Sequence, residues 1–151
     1  MRIVLQRVTE ASVAIKGAVK SKIKKGLVVF VGVEGEDTVE DVQYLSFKIS
    51  RMRIFNDKES KMNLSLADLL ETKVLVISQF TLFASTKKGN RPSFTGAAKP
   101  EFARMLYEMF CLQLEKDCGI KVATGVFGAD MQVSLINDGP VTIIMDSKIK
   151  E

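Results

Sequence analysis

"SLINDGPVTIIMDS", residues 134–147, decides how the sheet of this 151-residue chain is to be drawn. Two apolar, largely β-branched runs flank Asn137-Asp138-Gly139-Pro140. Asp-Gly between such runs predicts a hairpin turn, with strands at 130–137 and 141–146. Pro140 complicates that reading, because proline has no N–H to give to a sheet ladder. Two readings follow. One is a tight turn. The other uses the fact that X-Pro is the usual home of a cis peptide, which aims backbone carbonyls where a trans turn does not. With no side chain on Gly139, a ligand can approach that backbone closely.

Working outward, residues 2–8 and 11–15 alternate as strands, and Lys16-Gly17 turns the second of them into 18–23 as a hairpin. Gly26–Val33 is a buried strand. A helix is expected from about 38 to 52, capped by Asp37 or Thr38 with Glu40 or Asp41 three residues on, and burying Val39, Val42, Leu45, Ile49 and Met52. Residues 53–55 are extended, Asn56-Asp57 turns, and 65–70 make a helical turn. "KVLVISQFTLFA", 73–84, reads as one long strand, plain or bulged, before a polar loop at 85–99. A second helix spans about 100–118, with proline in its first turn and Gly119 as its stop, burying Phe102, Met105, Leu106, Met109 and Phe110. A strand at 120–124 follows. Strands in runs, interrupted by two helices, predict an α+β fold: a single domain over 1–151, its antiparallel or mixed sheet curling into a barrel-like core.

Apolar residues make up 46% of the chain and charged ones 26%, values of a globular domain rather than a disordered or membrane-spanning one. The N-terminus lacks a signal-peptide layout, so a cytoplasmic protein is expected. Cys111 and Cys118 lie about 10.5 Å apart along one helix, too far to pair, and read as reduced core residues. Histidine is absent, which excludes Ser-His-Asp and Cys-His machinery and any zinc site with a histidine ligand. No metal and no cofactor are expected, and no nucleotide-cradling glycine loop is present. The net charge of +4 is modest. Its cations cluster at Lys16, Lys20, Lys22, Lys24 and Lys25, and again at Lys87, Lys88 and Arg91: a solvated surface or a phosphate-contacting one.

Three polar residues, Ser78, Gln79 and Thr81, interrupt the apolar run at 73–84, flanking Phe80. In a central strand such groups need partners. They form either a structural polar cluster or a donor set facing a carbonyl, with backbone N–H groups around Phe80 available to an oxyanion. Arg7 shares the parity of Ile3 and Leu5 on the first strand. It either reaches water at the strand end or holds carbonyls or a carboxylate inside.

"SQFTLFA" at 78–84 together with "NDGPVT" at 137–142 resembles the D-aminoacyl-tRNA deacylase family. The match runs nearly full length, through "MRIVLQRVTEASV", "KISRMRIFND" at 48–57, "KMN" at 61–63, "RPSF" at 91–94 and "TGVFGADMQVSLINDGPVTI" at 124–143. The resemblance implies a homodimer that hydrolyses the ester between a D-amino acid and the tRNA 3′ end, with no DNA or membrane partner. It implies that Gly139-Pro140 is cis and enters the partner's active site. Ser78, Gln79 and Thr81 would line the pocket, Arg7 would anchor the Gly-Pro segment, and Phe127 and Met131 would border the terminal adenosine. Thr81 as a nucleophile would need a base, and none lies near it in sequence. Water attack aided by the substrate's 2′-hydroxyl, with Ser78–Thr81 positioning the ester, is therefore the preferred mechanism. A backbone wall that rejects an L side chain has nothing to reject in glycine, so glycyl-tRNA is expected to be hydrolysed to some degree. Two other classes fit the same fold: a non-catalytic RNA-binding dimer and a purely structural one.

Overall fold

The computed structural model describes residues 1–69 and 71–150. In chain order it comprises β1 (Arg2–Ile15), β2 (Ala18–Ile23), β3 (Gly26–Gly32), α1 (Val39–Arg51), β4 (Phe55–Asn56), β5 (Met62–Leu64), a 3-10 turn at Leu66–Asp68, β6 (Lys73–Ser78), a second 3-10 turn at Phe80–Phe83, α2 (Pro100–Cys118), β7 (Val122–Thr124) and β8 (Gln132–Asp146). The expected α+β class, with a barrel-shaped mixed sheet and two main helices, is what is found. The last residue of the helical turn expected at 65–70 and the last residue of the domain lie outside the described residues.

β1 organises the sheet. It pairs antiparallel with β3 along its first half, with β2 along its second, and with β8 along nearly its whole length on the other side. β3, β6 and β7 run parallel to one another. The alternation along β3 and β6 serves two cores. Leu27, Val29, Val31, Val74 and Val76 point toward α1 and α2, whereas Val28, Leu75 and Ile77 fill the barrel with Val8, Ala11 and Val13. Strands buried on both faces read as continuous apolar runs, as these do.

The segment 134–147 does not turn back. β8 continues in one direction along β1, with Asn137 opposite Val8 and Thr142 opposite Gln6. Residues 138–141 therefore stand opposite Arg7 alone, and the predicted hairpin is a bulge in one strand. A second register shift, between Val8 and Glu10, falls where β1 was expected to break into two strands; the pairing with β8 carries the chain across it as one strand. A hairpin would have needed the two apolar runs to pair with each other; both pair with β1 instead.

The strand expected over 73–84 ends at Ser78, and Phe80–Phe83 coil into the 3-10 turn. The cause is tertiary. The Gln79 N–H donates to Val31 O at 2.8 Å, and a Cβ on Gly32 would sit 3.0 Å from Leu82 Cβ and 3.1 Å from Gln79 O. Glycine at 32 lets the turn rest closely on the end of β3; a side chain there would push against it.

Both helices sit where the 3.6-residue period puts them. Thr38 caps α1, and its N–H donates to the Asp41 carboxylate at 2.8 Å; Asp37 instead accepts from the N-terminal ammonium and from Glu34 N–H. Two expected core residues are exposed: Val39, 42%, in the first turn of α1, and Met105, 47%, on α2. The buried stripe of α2 is Ala103, Leu106, Tyr107, Phe110, Leu114 and Cys118.

Candidate active site

A cleft of about 580 Å³ opens where the C-terminal ends of β3 and β6 meet the start of α2 and the segment after β7. Its walls include Val31, Ile77, Ser78, Gln79, Phe80, Phe94, Tyr107, Phe127, Asp130 and Met131. Ligands of sheets with parallel strands characteristically bind beyond the strands' carboxyl ends.

The polar end of the cleft is built by the abrupt close of β6. Gln79 Nε2 donates to Thr81 Oγ1 at 2.5 Å across the 3-10 turn. The first backbone bond of that turn runs from Leu82 N–H to Gln79 O, 3.2 Å, so the amides of Phe80 and Thr81 precede it. Amides in this position have no acceptor within their own turn, which suits them to receive negative charge. Phe80 is 58% exposed and meets Phe94 edge-on, ring centroids 5.3 Å apart.

The apolar wall rests on Tyr107. Its hydroxyl donates to Val76 O at 2.9 Å, and its ring lies 5.8 Å from that of Phe127. Burial, reinforced by the neighbouring Cys111, pushes the phenol well above its ordinary range, so it stays a neutral donor. Burial likewise pushes the thiols of Cys111 and Cys118 up to about 12. Neither is a ready nucleophile. Among the described residues no group of three or more His, Cys, Asp or Glu is placed to hold a metal, and no helix is long and apolar enough to cross a membrane.

The other candidate residues are elsewhere. Gly139 and Pro140 are exposed on the β8 bulge, and their peptide bond is cis. Beneath the bulge lies Arg7, 6% exposed. Its guanidinium donates to Ile54 O at 2.5 Å and Asp138 O at 3.3 Å, and lies 3.1 Å from the Asp138 carboxylate. Asn137 closes the base of the bulge, donating to Arg7 O and Val141 O, both at 2.9 Å. The structure thus brings together Ser78, Gln79, Phe80, Phe127 and Met131, with Thr81 bonded at their edge, and separately Arg7, Gly139 and Pro140. In a strand running through 84, as expected from the sequence, Gln79 and Thr81 would share a face by period-2 alternation; they meet instead across the 3-10 turn. Tyr107 and Phe94 were not singled out in the sequence. Tyr107 sits one residue from Leu106 in the helical pattern and carried no signal of its own; Phe94 closes the "RPSF" motif of the resemblance, but nothing in that motif assigned it a place in the cleft.

Comparison with known proteins adds a family. The model described as D-Tyr-tRNA(Tyr) deacylase matches residues 4–146. Proteins named D-aminoacyl-tRNA deacylase from Flavobacterium johnsoniae and Porphyromonas gingivalis are 56% and 55% identical to this chain over 151 residues, covering 100% of each partner. A solved structure titled c-Myc DNA Unwinding Element Binding Protein superposes with TM-score 0.89 at 40% identity, over 97% of this chain and 98% of the other. Another, titled a probable eukaryotic D-amino acid tRNA deacylase, reaches TM-score 0.81 at 18% identity over 95% and 97%, a likeness of fold.

Proposed function

The chain belongs to the D-Tyr-tRNA(Tyr) deacylase family, and from that membership we propose that it hydrolyses the ester of D-aminoacyl-tRNA at a site two copies of the chain complete. The cleft of one copy receives the Gly139–Pro140 bulge of the other. The observation that carries this reading is the division of the candidate residues. Ser78, Gln79, Phe80, Phe127 and Met131 line one cleft, while Gly139 and Pro140 stand exposed outside it on a bulge secured by Arg7 and Asn137. A backbone feature held this firmly and exposed at the surface suits insertion into a second copy.

In the proposed reaction the terminal adenosine lies against Phe127 and Met131, and the ester carbonyl faces the amides of Phe80 and Thr81. Water attacks the carbonyl carbon, helped by the tRNA 2′-hydroxyl. The bond from that carbon to the 3′-oxygen breaks, and a proton goes to the departing oxygen. Free D-amino acid and tRNA are the products. An aminoacyl ester is already reactive, so amides preset toward the developing oxyanion supply the needed stabilisation. Thr81 Oγ1 is engaged by Gln79, and among the described residues it bonds no carboxylate that would deprotonate it. This supports a positioning role.

The carbonyls of Gly139 and Pro140 then occupy the space an L side chain requires and hold the amino group. The D side chain points outward, so its identity matters little. Glycine presents no side chain to this filter, so glycyl-tRNA is hydrolysed to some degree. The reaction belongs to the cytoplasm, where tRNA is charged.

The test is hydrolysis of D-Tyr-tRNA, L-Tyr-tRNA and glycyl-tRNA by the purified protein without added metal. Loss of the D-ester, partial loss of the glycyl ester and survival of the L-ester are expected. Survival of the D-ester with tRNA still bound would make the chain a binding protein on an enzyme's fold.

A further inference from the structure

The chain carries two groups of exposed cations, and the parallel strands place them at opposite ends of the sheet. Lys24 and Lys25 immediately precede β3, Lys73 opens β6, and Lys121 immediately precedes β7. Gly26 pairs with Lys73, and Val74 with Val122, so these lysines gather at the strands' N-terminal ends, beside Lys22 of β2. The cleft draws on the other ends, where Val31 pairs with Ser78. Six residues of strand at about 3.3 Å each separate the two groups by roughly 20 Å.

The second group surrounds the cleft. Lys87, Lys88 and Arg91 are exposed on a loop whose base is fixed by reciprocal backbone bonds between Ser85 and Ser93, 2.7 and 2.9 Å. That loop leads directly into Phe94, Ala97 and Ala98 of the cleft wall. Lys99 lies between Ala98 and Pro100, both on the wall, and the Arg104 guanidinium stands 5.3 Å from the centroid of Phe127. Among the described residues none of these five cations has a carboxylate within 4.0 Å, and neither do Lys24, Lys25, Lys73 and Lys121 at the far end, whereas Arg2, Arg7, Lys22, Lys61 and Lys148 do; what sets the five apart is their place at the cleft. Glu34, Glu101, Glu108 and Asp130 lie on or beside wall or rim residues, four carboxylates to five cations, and among the described residues none of the four comes within 4.0 Å of any of the five.

We propose that Lys87, Lys88, Arg91, Lys99 and Arg104 form a phosphate-contacting collar that grips the single-stranded 3′ end of tRNA and the adjoining stem, and that the lysines of the β2–β3 end take no part. Single strands are held by cationic grooves that follow the backbone and by aromatic faces for the bases. Phe80, Phe94 and Phe127 supply such faces inside this collar. A strand whose terminal nucleoside enters the cleft carries its phosphates across the rim, within reach of long side chains on a pinned loop. The assignment rests on the deacylase reading for the identity of the RNA, but its test does not depend on turnover.

Binding of uncharged tRNA is measured across a salt series for the unaltered protein and three variants. K87Q/R91Q with K88Q is expected to weaken binding roughly tenfold and to flatten the slope of log affinity against log salt by about 0.7 for each phosphate that is no longer neutralised. The charge-conserving K87R/R91K with K88R retains the slope, which separates missing charge from a damaged loop. K22Q/K24Q with K25Q binds as the unaltered protein does. Unchanged affinity in the first variant, or an equal fall in the third, overturns the proposal. Failure of D-Tyr-tRNA hydrolysis in the unaltered protein would instead strike the deacylase reading.

Discussion

Ser78–Thr81 and Asn137–Pro140 both interrupt strongly apolar strands with polar residues, yet they are held by different means. In the first, the side-chain bond joins neighbours, Gln79 to Thr81, and the turn is completed by Leu82 N–H to Gln79 O. In the second, the decisive bonds are long-range: Arg7 to Asp138 and Asn137 to Arg7 O span most of the chain, and Arg7 reaches onward to Ile54 O. The cleft segment is a local fold seated on β3, whereas the bulge is a distant segment clamped to β1. The first should tolerate loss of a side chain with little structural change. The second should depend on one.

Replacing Arg7 gives the largest expected effect. Arg7→Ala leaves the buried Ile54 carbonyl without its charged donor and removes the partner of Asp138. Charge-assisted bonds contribute about 1.5–3 kcal/mol each, and an unpaired buried acceptor costs a further share, so a loss of roughly 3 kcal/mol is expected in urea unfolding. Asp138 is part-exposed, which limits its own contribution. Arg7→Lys keeps the charge but loses the fork that reaches both Ile54 and Asp138, and should fall between. A loss below about 0.5 kcal/mol, the range of ordinary surface substitutions, would mean the bulge is held by the β1–β8 ladder alone.

Gly139→Ala tests the bulge itself. Gly139 has φ +120°, and a Cβ there would stand 2.9 Å from Arg7 Nη2 and 3.0 Å from Val141 Cγ2. An L side chain in that backbone region costs on the order of 1–3 kcal/mol. If the bulge is the chiral filter, discrimination between D- and L-Tyr-tRNA should collapse while tRNA affinity holds. Intact discrimination in a folded variant would assign the filter to the cleft.

The same contrast governs what could be read from sequence. Both helices were legible because a 3.6-residue period, Thr38 with Asp41, Pro100 and Gly119 are all local signals. Val39 and Met105 misled because the period marks an apolar stripe without saying where a partner element ends. "FTLF" at 80–83 fits strand and 3-10 turn equally; the turn is seated by the Gln79 bond to Val31 O and by the close approach to Gly32, some fifty residues away in sequence. The bulge read as a hairpin because Asn-Asp-Gly-Pro has turn chemistry, and nothing nearby states that Arg7 lies opposite it. Most of the candidate residues were visible as motifs. Their division between a cleft and a separate bulge was implied only by the family resemblance; residue patterning alone does not give it, since it depends on which strands pair.

Thr81→Val makes the smallest change and sharpens the comparison furthest. The substitution is nearly isosteric and removes the acceptor of Gln79 Nε2. The bond is half-buried and local, so its loss should cost about 0.5–1.5 kcal/mol, less than at Arg7. Its kinetic effect separates two mechanisms. If Thr81 positions the turn while the tRNA 2′-hydroxyl assists water, the variant should deacylate D-Tyr-tRNA within about tenfold of the unaltered protein, a little over one kcal/mol of barrier. A D-Tyr-tRNA ending in 2′-deoxyadenosine should then be the poorer substrate for both proteins. If Thr81 were the nucleophile, its removal would abolish turnover, leave tRNA binding intact, and make the 2′-deoxy substrate competent with the unaltered protein. The two substrates against the two proteins give four rates, and the local segment is a scaffold only if the hydroxyl that matters belongs to the RNA.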